Sequence, residues 1–371
     1  MVDLNVDYSE VVGKFADCFD ECGMCCLCQP EVLPEEVKFF ETNYPKSLVK
    51  TRPPVSYLGL ALKKGHGSCK FLNDRRCDIY NNRPSFCRQY PFHIYIGENV
   101  SVELDLSCRG VWDGKNIDAE TEARRLVADA EKRIIQAFRE SKQVYQEFYR
   151  NCMSAGVMGD IGSIRGSTAL SLSRFTDLSD LQGILELSES YDVMSLSDAR
   201  PDPKADAEEI DEAARSAALE SITSVDPMSV PVYCDGDWNW NMFMADGDRI
   251  EWMVMDDEGD MHHKAFASAS EIPLKTMEEG GRDVLSNYIS ILNGRESFLG
   301  SVFSNMDAFG YEDHMSNAYY GTVAVTVLDL MWRASMLDHF MGTGMGANGI
   351  KESIIFYDMD RLDAPTIGSF V

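Results

Sequence analysis

Nine of the chain's eleven cysteines stand between Cys18 and Cys108. The spacing is Cys18-x3-Cys22-x2-Cys25-Cys26, with Cys28 just beyond, then Cys69-x7-Cys77-x9-Cys87, then Cys108. Only Cys152 and Cys234 lie further on. Thiolates are tight, soft ligands for zinc and iron. Ligands close in sequence reach one metal without closing a large loop. Distant ligands then fix the chain around it, so metal binding is also folding free energy. Single buried cysteines act as small apolar residues, but this density is too high for that reading. Disulfides belong to oxidising compartments, and the opening "MVDLNVDYSEVVGKF" has neither the basic nor the apolar segment of a secretory leader. The expectation is a metal centre in a cytoplasmic protein.

Arginines interleave with these thiols: Arg75, Arg76, Arg83, Arg88 and Arg109. A four-thiolate centre carries net negative charge with either metal, and guanidinium groups nearby offset it. Arg83 and Arg88 bracket Pro84 and Cys87. Pro84 fixes the backbone just before a candidate ligand, so Arg83 and Arg88 are the expected cofactor-contacting cations.

The stretch "GSCKFLNDRRCDIYNNRPSFCRQYPF", from Gly67 to Phe92, follows "CGMCC" and precedes "SCRG". Together they resemble the YkgJ-type cysteine-cluster (CxxCxxCC) family, whose members are described as zinc- or iron-chelating. The resemblance covers residues 15–112. It implies eight metal ligands: Cys18, Cys22, Cys25, Cys26, Cys69, Cys77, Cys87 and Cys108. It also takes in Gly23, Ile79, Tyr80, Arg83, Pro84, Arg88, Pro91 and Phe92. Two features depart from the pattern. The first gap is x3 rather than x2, and Cys28 is an added thiol. Flagellin lysine methylases resemble the same family and are thought to use an iron–sulfur centre, which makes a protein-modifying enzyme one expectation.

Eight thiols can fill two zinc sites, two [4Fe–4S] clusters, or one cluster with spare thiols. Adjacent side chains usually point apart, so Cys25 and Cys26 are expected to serve different metals. The Cys22-x2-Cys25 spacing suits zinc and iron alike. The family's association with iron–sulfur chemistry tips the expectation to a [4Fe–4S] cluster, with zinc as the alternative. Cys18, Cys22 and Cys25 have the form of a triad that leaves one iron open to S-adenosylmethionine. The strand–helix periodicity of the usual barrel does not follow it. The functional expectation is an iron–sulfur protein with a redox, maturation or protein-modifying role. The alternatives are a structural zinc module or an S-adenosylmethionine-dependent, lysine-methylase-like enzyme. No catalytic residue is assigned. A protein or redox partner is expected.

Charge narrows the partners. The formal net charge is −27, with −4 in the first 120 residues and −23 in the rest. Such a field repels phosphate backbones, which argues against nonspecific nucleic-acid binding. No run of about 20 apolar residues is present to span a membrane. Other signals are weaker. His66 could substitute for a ligand near Cys69. His262-His263 after an acidic loop could hold a second metal, though a solvated loop is the plainer reading. Trp238 and Trp240 in "CDGDWNW" could share a strand face, as core or as a pocket wall. "GTGMGANG" lacks the Lys-Ser/Thr ending of a phosphate loop and reads as flexible.

The elements that must position these groups read as α+β, mainly helical: a small metal-stapled cysteine module over residues 1–118, then an acidic, mostly helical region over 119–371 with a hairpin near 241–255. Pro34 starts a short helix. Residues 92–96 and 100–106 form a hairpin. Asp118 caps a long helix from 119 to about 150. Residues 160–200 hold one or two helices, and Pro201 and Pro203 precede an acidic one. Asp246-Gly247 turns a second hairpin. Residues 273–340 are mostly helical, and "SIIFYDMDRL" adds a strand or docks on the surface.

Overall fold

The computed structural model describes residues 4–51, 56–190, 192–201, 207–223, 230–362 and 364–371. The architecture is α+β and mainly helical, as the sequence predicts. Among the described residues, two four-stranded sheets and two short two-stranded ribbons accompany the helices. The expected hairpin pairs Phe92–Ile96 with Val100–Leu104, Ile94 opposite Val102. Val6–Asp7 joins it in parallel on one side. Ser369–Phe370 joins antiparallel on the other. Both ends of the described chain therefore frame the hairpin that lies between Cys87 and Cys108.

The helix Ala119–Ala155 runs five residues beyond its expected end. Asp118 Oδ1 accepts from the Thr121 amide at 2.8 Å, and Gly156 closes the helix with φ 75°. Its apolar stripe includes Leu126, Ala130 and Ile134, all buried. Ser141 Oγ donates to the Gly97 carbonyl at 2.7 Å, seating the helix on the hairpin turn. Residues 160–200 form three helices rather than one or two: Ile161–Leu170, Leu172–Phe175 and Leu178–Ser188. The acidic helix is Ala207–Ile222. Pro203, expected to break the chain before it, lies outside the described residues.

The second hairpin, Trp240–Asp246 with Arg249–Met255, is the middle of a larger antiparallel sheet. Val232–Cys234 and Met261–Ser268 flank it. The second of these contains His262 and His263, so the expected solvated loop is instead an exposed edge strand. Two further expectations are corrected near the end of the chain. "SIIFYDMDRL" belongs to the helix Ala347–Leu362, with Ile354, Ile355 and Phe356 buried. The last three residues of "GTGMGANG" begin that helix, and Gly342 is the left-handed cap of the preceding one.

That preceding helix, Met315–Met341, is buried on nearly every side, as a central helix must be. Helices Leu178–Ser188, Ala207–Ile222 and Ala347–Leu362 pack around it. One apolar core runs from Val11 and the first hairpin through the long helix to Tyr357. A buried cation pins these parts together. Arg295 bonds Asp358 at 2.8 Å, Glu10 at 2.9 Å and the Leu104 carbonyl at 2.6 Å. Among the described residues no helix is long and apolar enough to cross a membrane.

Candidate metal centre

Cys18, Cys22, Cys25, Cys26, Cys69, Cys77, Cys87 and Cys108 all line one chamber of about 750 Å³. Cys28 lines it too, and so does Cys234 from the second sheet. Arg83 and Arg88 form part of its wall, with Arg75, Arg76 and Arg109. All of these cysteines are free thiols. Among the described residues no three His, Cys, Asp or Glu side chains converge tightly on one ion-sized point. The thiols surround a volume instead. This donor set fits a thiolate-bound metal group, because soft sulfur donors outnumber every other ligand type in the wall.

Local sequence explains how each thiol arrives there. Gly23 takes φ 60°, and a Cβ on it would stand 3.0 Å from the Trp240 ring. The chain then tightens into a 3-10 turn, Met24–Cys26, with the Cys26 amide on the Gly23 carbonyl at 2.9 Å. Cys25 and Cys26 do not turn away from one another. Both reach the chamber, and the Cys26 thiol hydrogen-bonds Cys25. The Cys69 amide donates to the Cys26 carbonyl at 2.7 Å, joining the first and second cysteine groups.

Cys77 follows a two-residue turn between Leu72–Asn73 and Arg76–Cys77. Asp74 and Arg75 both have positive φ there, 46° and 60°, as a tight hairpin turn requires. Such conformations are strained for residues with side chains, and contacts hold Arg75 in place. Its guanidinium stacks 3.4 Å from the Trp240 ring centroid, and its Nε lies 2.6 Å from Asp257. Cys87 sits in the short helix Ser85–Gln89, entered through Pro84. Glu36 accepts from the Ser85 amide at 3.0 Å and from its hydroxyl at 2.8 Å. Arg88 braces the same corner, donating to the Arg83 carbonyl and to Ser85 Oγ, each at 3.0 Å. Arg83 donates to the Tyr80 carbonyl and stacks on the Tyr80 ring at 3.7 Å. The Tyr80 hydroxyl hydrogen-bonds Cys18, an exposed thiol.

Cys108 opens the helix Arg109–Asp113. Two residues on, Gly110 lies so near the chain before Cys18 that a Cβ would come within 1.7 Å of the Asp17 carbonyl. Asp17 holds that chain by accepting from the amides of Lys115 and Ile117, each at 2.8 Å. Arg109 is buried. It makes a two-point bond to Glu352, and its Nε donates to the Cys234 carbonyl at 2.7 Å.

Burial pushes most of these thiols up: Cys69 to about 11, with Cys77, Cys87 and Cys108 also raised. Two go the other way. Cys22 falls to about 7, chiefly through a hydrogen bond from Cys234, helped by the Met24 amide and the guanidiniums of Arg109 and Arg75. Cys25 falls because Cys26 donates to it. The chamber thus holds two thiols shifted down among others shifted up. Metal binding would expel the protons of the rest, since the thiolate is the ligand.

Sequence reasoning missed Cys234, Trp240's contact with the Cys22 loop, and the buried tie of Arg109 to Glu352. A cysteine at the end of a three-residue strand carries no local signal of where it will land. His66 is exposed and lies outside the chamber wall. His262 Nε2 lies 3.2 Å from Asp256 Oδ2, an exposed pair.

No curated protein and no solved structure matches the chain significantly. The arrangement above falls on one recognisable segment: residues 17–111 match the CxxCxxCC family model, described as "Putative zinc- or iron-chelating domain", which is the family that the cysteine spacing resembles.

Proposed function

We propose that the chamber binds an iron–sulfur centre, a [4Fe–4S] cluster on four of its thiolates, in a protein with a redox, maturation or protein-modifying role. The observation that carries this reading is the spread of ten cysteines around a single volume of about 750 Å³. A polynuclear centre uses ligands spaced around a body, whereas one zinc ion needs four donors drawn to a point. Cys18, Cys22, Cys25, Cys26, Cys69, Cys77, Cys87 and Cys108 form the ligand pool. When bound, such a cluster supplies one-electron chemistry. The chain's own part is to hold the thiols in register, exclude water from the inner ones and keep cations beside them. The first 118 residues carry this pool, and the remainder supports it. Cys18 and Tyr80 stand at the exposed side, where a redox partner or protein substrate would approach.

The test is anaerobic purification followed by iron, zinc and acid-labile sulfide analysis with a visible spectrum. The expected result is brown protein with iron and sulfide in equal amounts and a broad charge-transfer band, both lost in C87S. Stoichiometric zinc without sulfide would overturn the iron–sulfur reading and leave a structural zinc module.

A further inference from the structure

Cys234 stands outside the segment that matches the family and among the thiols inside it. We propose that Cys234 is itself a metal ligand, supplied by the second sheet, so that metal binding clamps this sheet onto the cysteine module. The proposal rests on the metal-centre reading above.

Three observations carry it. The first is position. Cys234 ends the strand Val232–Cys234, is 2% exposed, and faces the chamber. Its thiol donates to the Asp235 carbonyl at 3.9 Å, and Cys22 and Cys108 line the same chamber. A metal group held in the chamber would find the Cys234 sulfur in its wall, beside the module's own thiols. The Cys234 proton would leave to solvent as the sulfur–metal bond forms.

The second is that Cys234 is held there from the module's side. Arg109, next to Cys108, donates to the Cys234 carbonyl at 2.7 Å. Trp240 Nε1, from the neighbouring strand, donates to the Cys22 carbonyl at 2.9 Å. The two backbones that carry the thiol pair are therefore each fixed by the opposite part of the protein.

The third is that the sheet is docked beside the chamber along a second line. Ser68, just before Cys69, donates its hydroxyl to the Asp257 carbonyl at 2.7 Å. Gly67 lies against the same loop, where a Cβ would stand 2.4 Å from the Glu258 carbonyl oxygen.

The experiment uses the full-length chain, stripped of metal, with Cd²⁺ as probe. Sulfur-to-cadmium absorbance and competition with a chelator report binding. Hydrogen exchange over Trp240–Met255 reports clamping. Wild type is expected to bind Cd²⁺ and to gain exchange protection in that hairpin. C234S and C234A should weaken binding at least tenfold and lose the metal-dependent protection. C152S, a buried thiol far from the chamber in sequence and absent from its wall, should stay within twofold of wild type. If C234S and C234A bind and protect like wild type, the proposal fails while the metal centre stands. If wild type itself gives no sulfur–cadmium band, the metal-centre reading fails first. If both variants misfold, alkylation of Cd²⁺-loaded wild type in urea decides. Cys234 should resist modification at a urea concentration where Cys152 reacts, and equal reactivity would overturn the proposal.

Discussion

Replacing Arg109 with alanine should unfold the junction between the two parts of the chain. Arg109 and Glu352 are 4% and 8% exposed at their side chains. The guanidinium meets both carboxylate oxygens of Glu352, with Nη1 to Oε1 at 3.1 Å, and also the Cys234 carbonyl. Removing one partner of a buried pair costs about 3–5 kcal/mol, because the other charge stays buried and uncompensated. An orphaned buried carbonyl adds about 1–3 kcal/mol. The Tyr233 hydroxyl still donates to Glu352 and softens the loss, so R109A should lose about 4 kcal/mol, the low end of the two costs added together. The assay is urea unfolding of the metal-free chain, followed by circular dichroism. The double variant R109M/E352L is the control, since apolar groups of similar shape often replace a buried pair at little cost. It should recover most of the stability lost in R109A. A loss below about 1 kcal/mol in R109A, the level of an exposed pair, would refute the reasoning. So would a double variant no more stable than the single one.

The other predictions are simpler. G110A places a methyl group where the Asp17 carbonyl already stands, so the segment before Cys18 must lift. Overpacking of this kind costs about 1–3 kcal/mol, and the variant should also bind less metal per chain than wild type when both are loaded anaerobically. Normal metal content and melting temperature in G110A would show that this close approach is not needed. The Asp338 carboxyl is held below its ordinary 3.8, first by Lys275 at 2.5 Å and then by the Gly344 amide at 2.7 Å. A depressed carboxyl contributes its stability in full above the unfolded value, and loses it as pH falls through the folded one. D338N should therefore be less stable than wild type at neutral pH, with the difference shrinking below pH 3.8. A gap between the two melting curves that holds constant from pH 7 down to pH 3 would refute the assignment.

Some elements were legible because their signals are local. Pro34 opens a helix, Asp118 caps one and Gly247, at φ 58°, turns a hairpin one position later than Asp246-Gly247 suggests, since Asp246 still pairs with Arg249. The dense cysteine spacing likewise announced a shared site. What could not be read depended on partners far along the chain. Arg109 looked like one cation among five, because Glu352 lies 243 positions away. Met261–Ser268 is an exposed edge strand whose pairing with Arg249–Met255 supplies the order that its polar side chains do not suggest. "SIIFYDMDRL" is rich in β-branched and aromatic residues and reads as a strand. A fully buried helix draws on the same residues, and periodicity cannot separate the two in so short a run.

The charge pattern around the chamber was half visible in the same way. Counting arginines between cysteines suggested five positive charges ready to offset a thiolate centre. Four of the five already face carboxylates: Arg75 with Asp257, Arg76 with Asp20, Arg88 with Glu36 and Arg109 with Glu352. Their positive charge is largely offset where they stand. Arg83 differs. Its bonds go to the Tyr80 carbonyl and ring, neither of which carries a charge. Of the two cations singled out in the sequence, Arg88 builds the corner that holds Cys87. Arg125 first, and the charge of Arg83 after it, lower the Glu122 carboxyl in the same wall. A thiolate centre would then sit in a field that is mostly negative, with −23 on the rest of the chain. Such a field opposes adding an electron, and cations in the chamber wall would moderate it for a centre bound there.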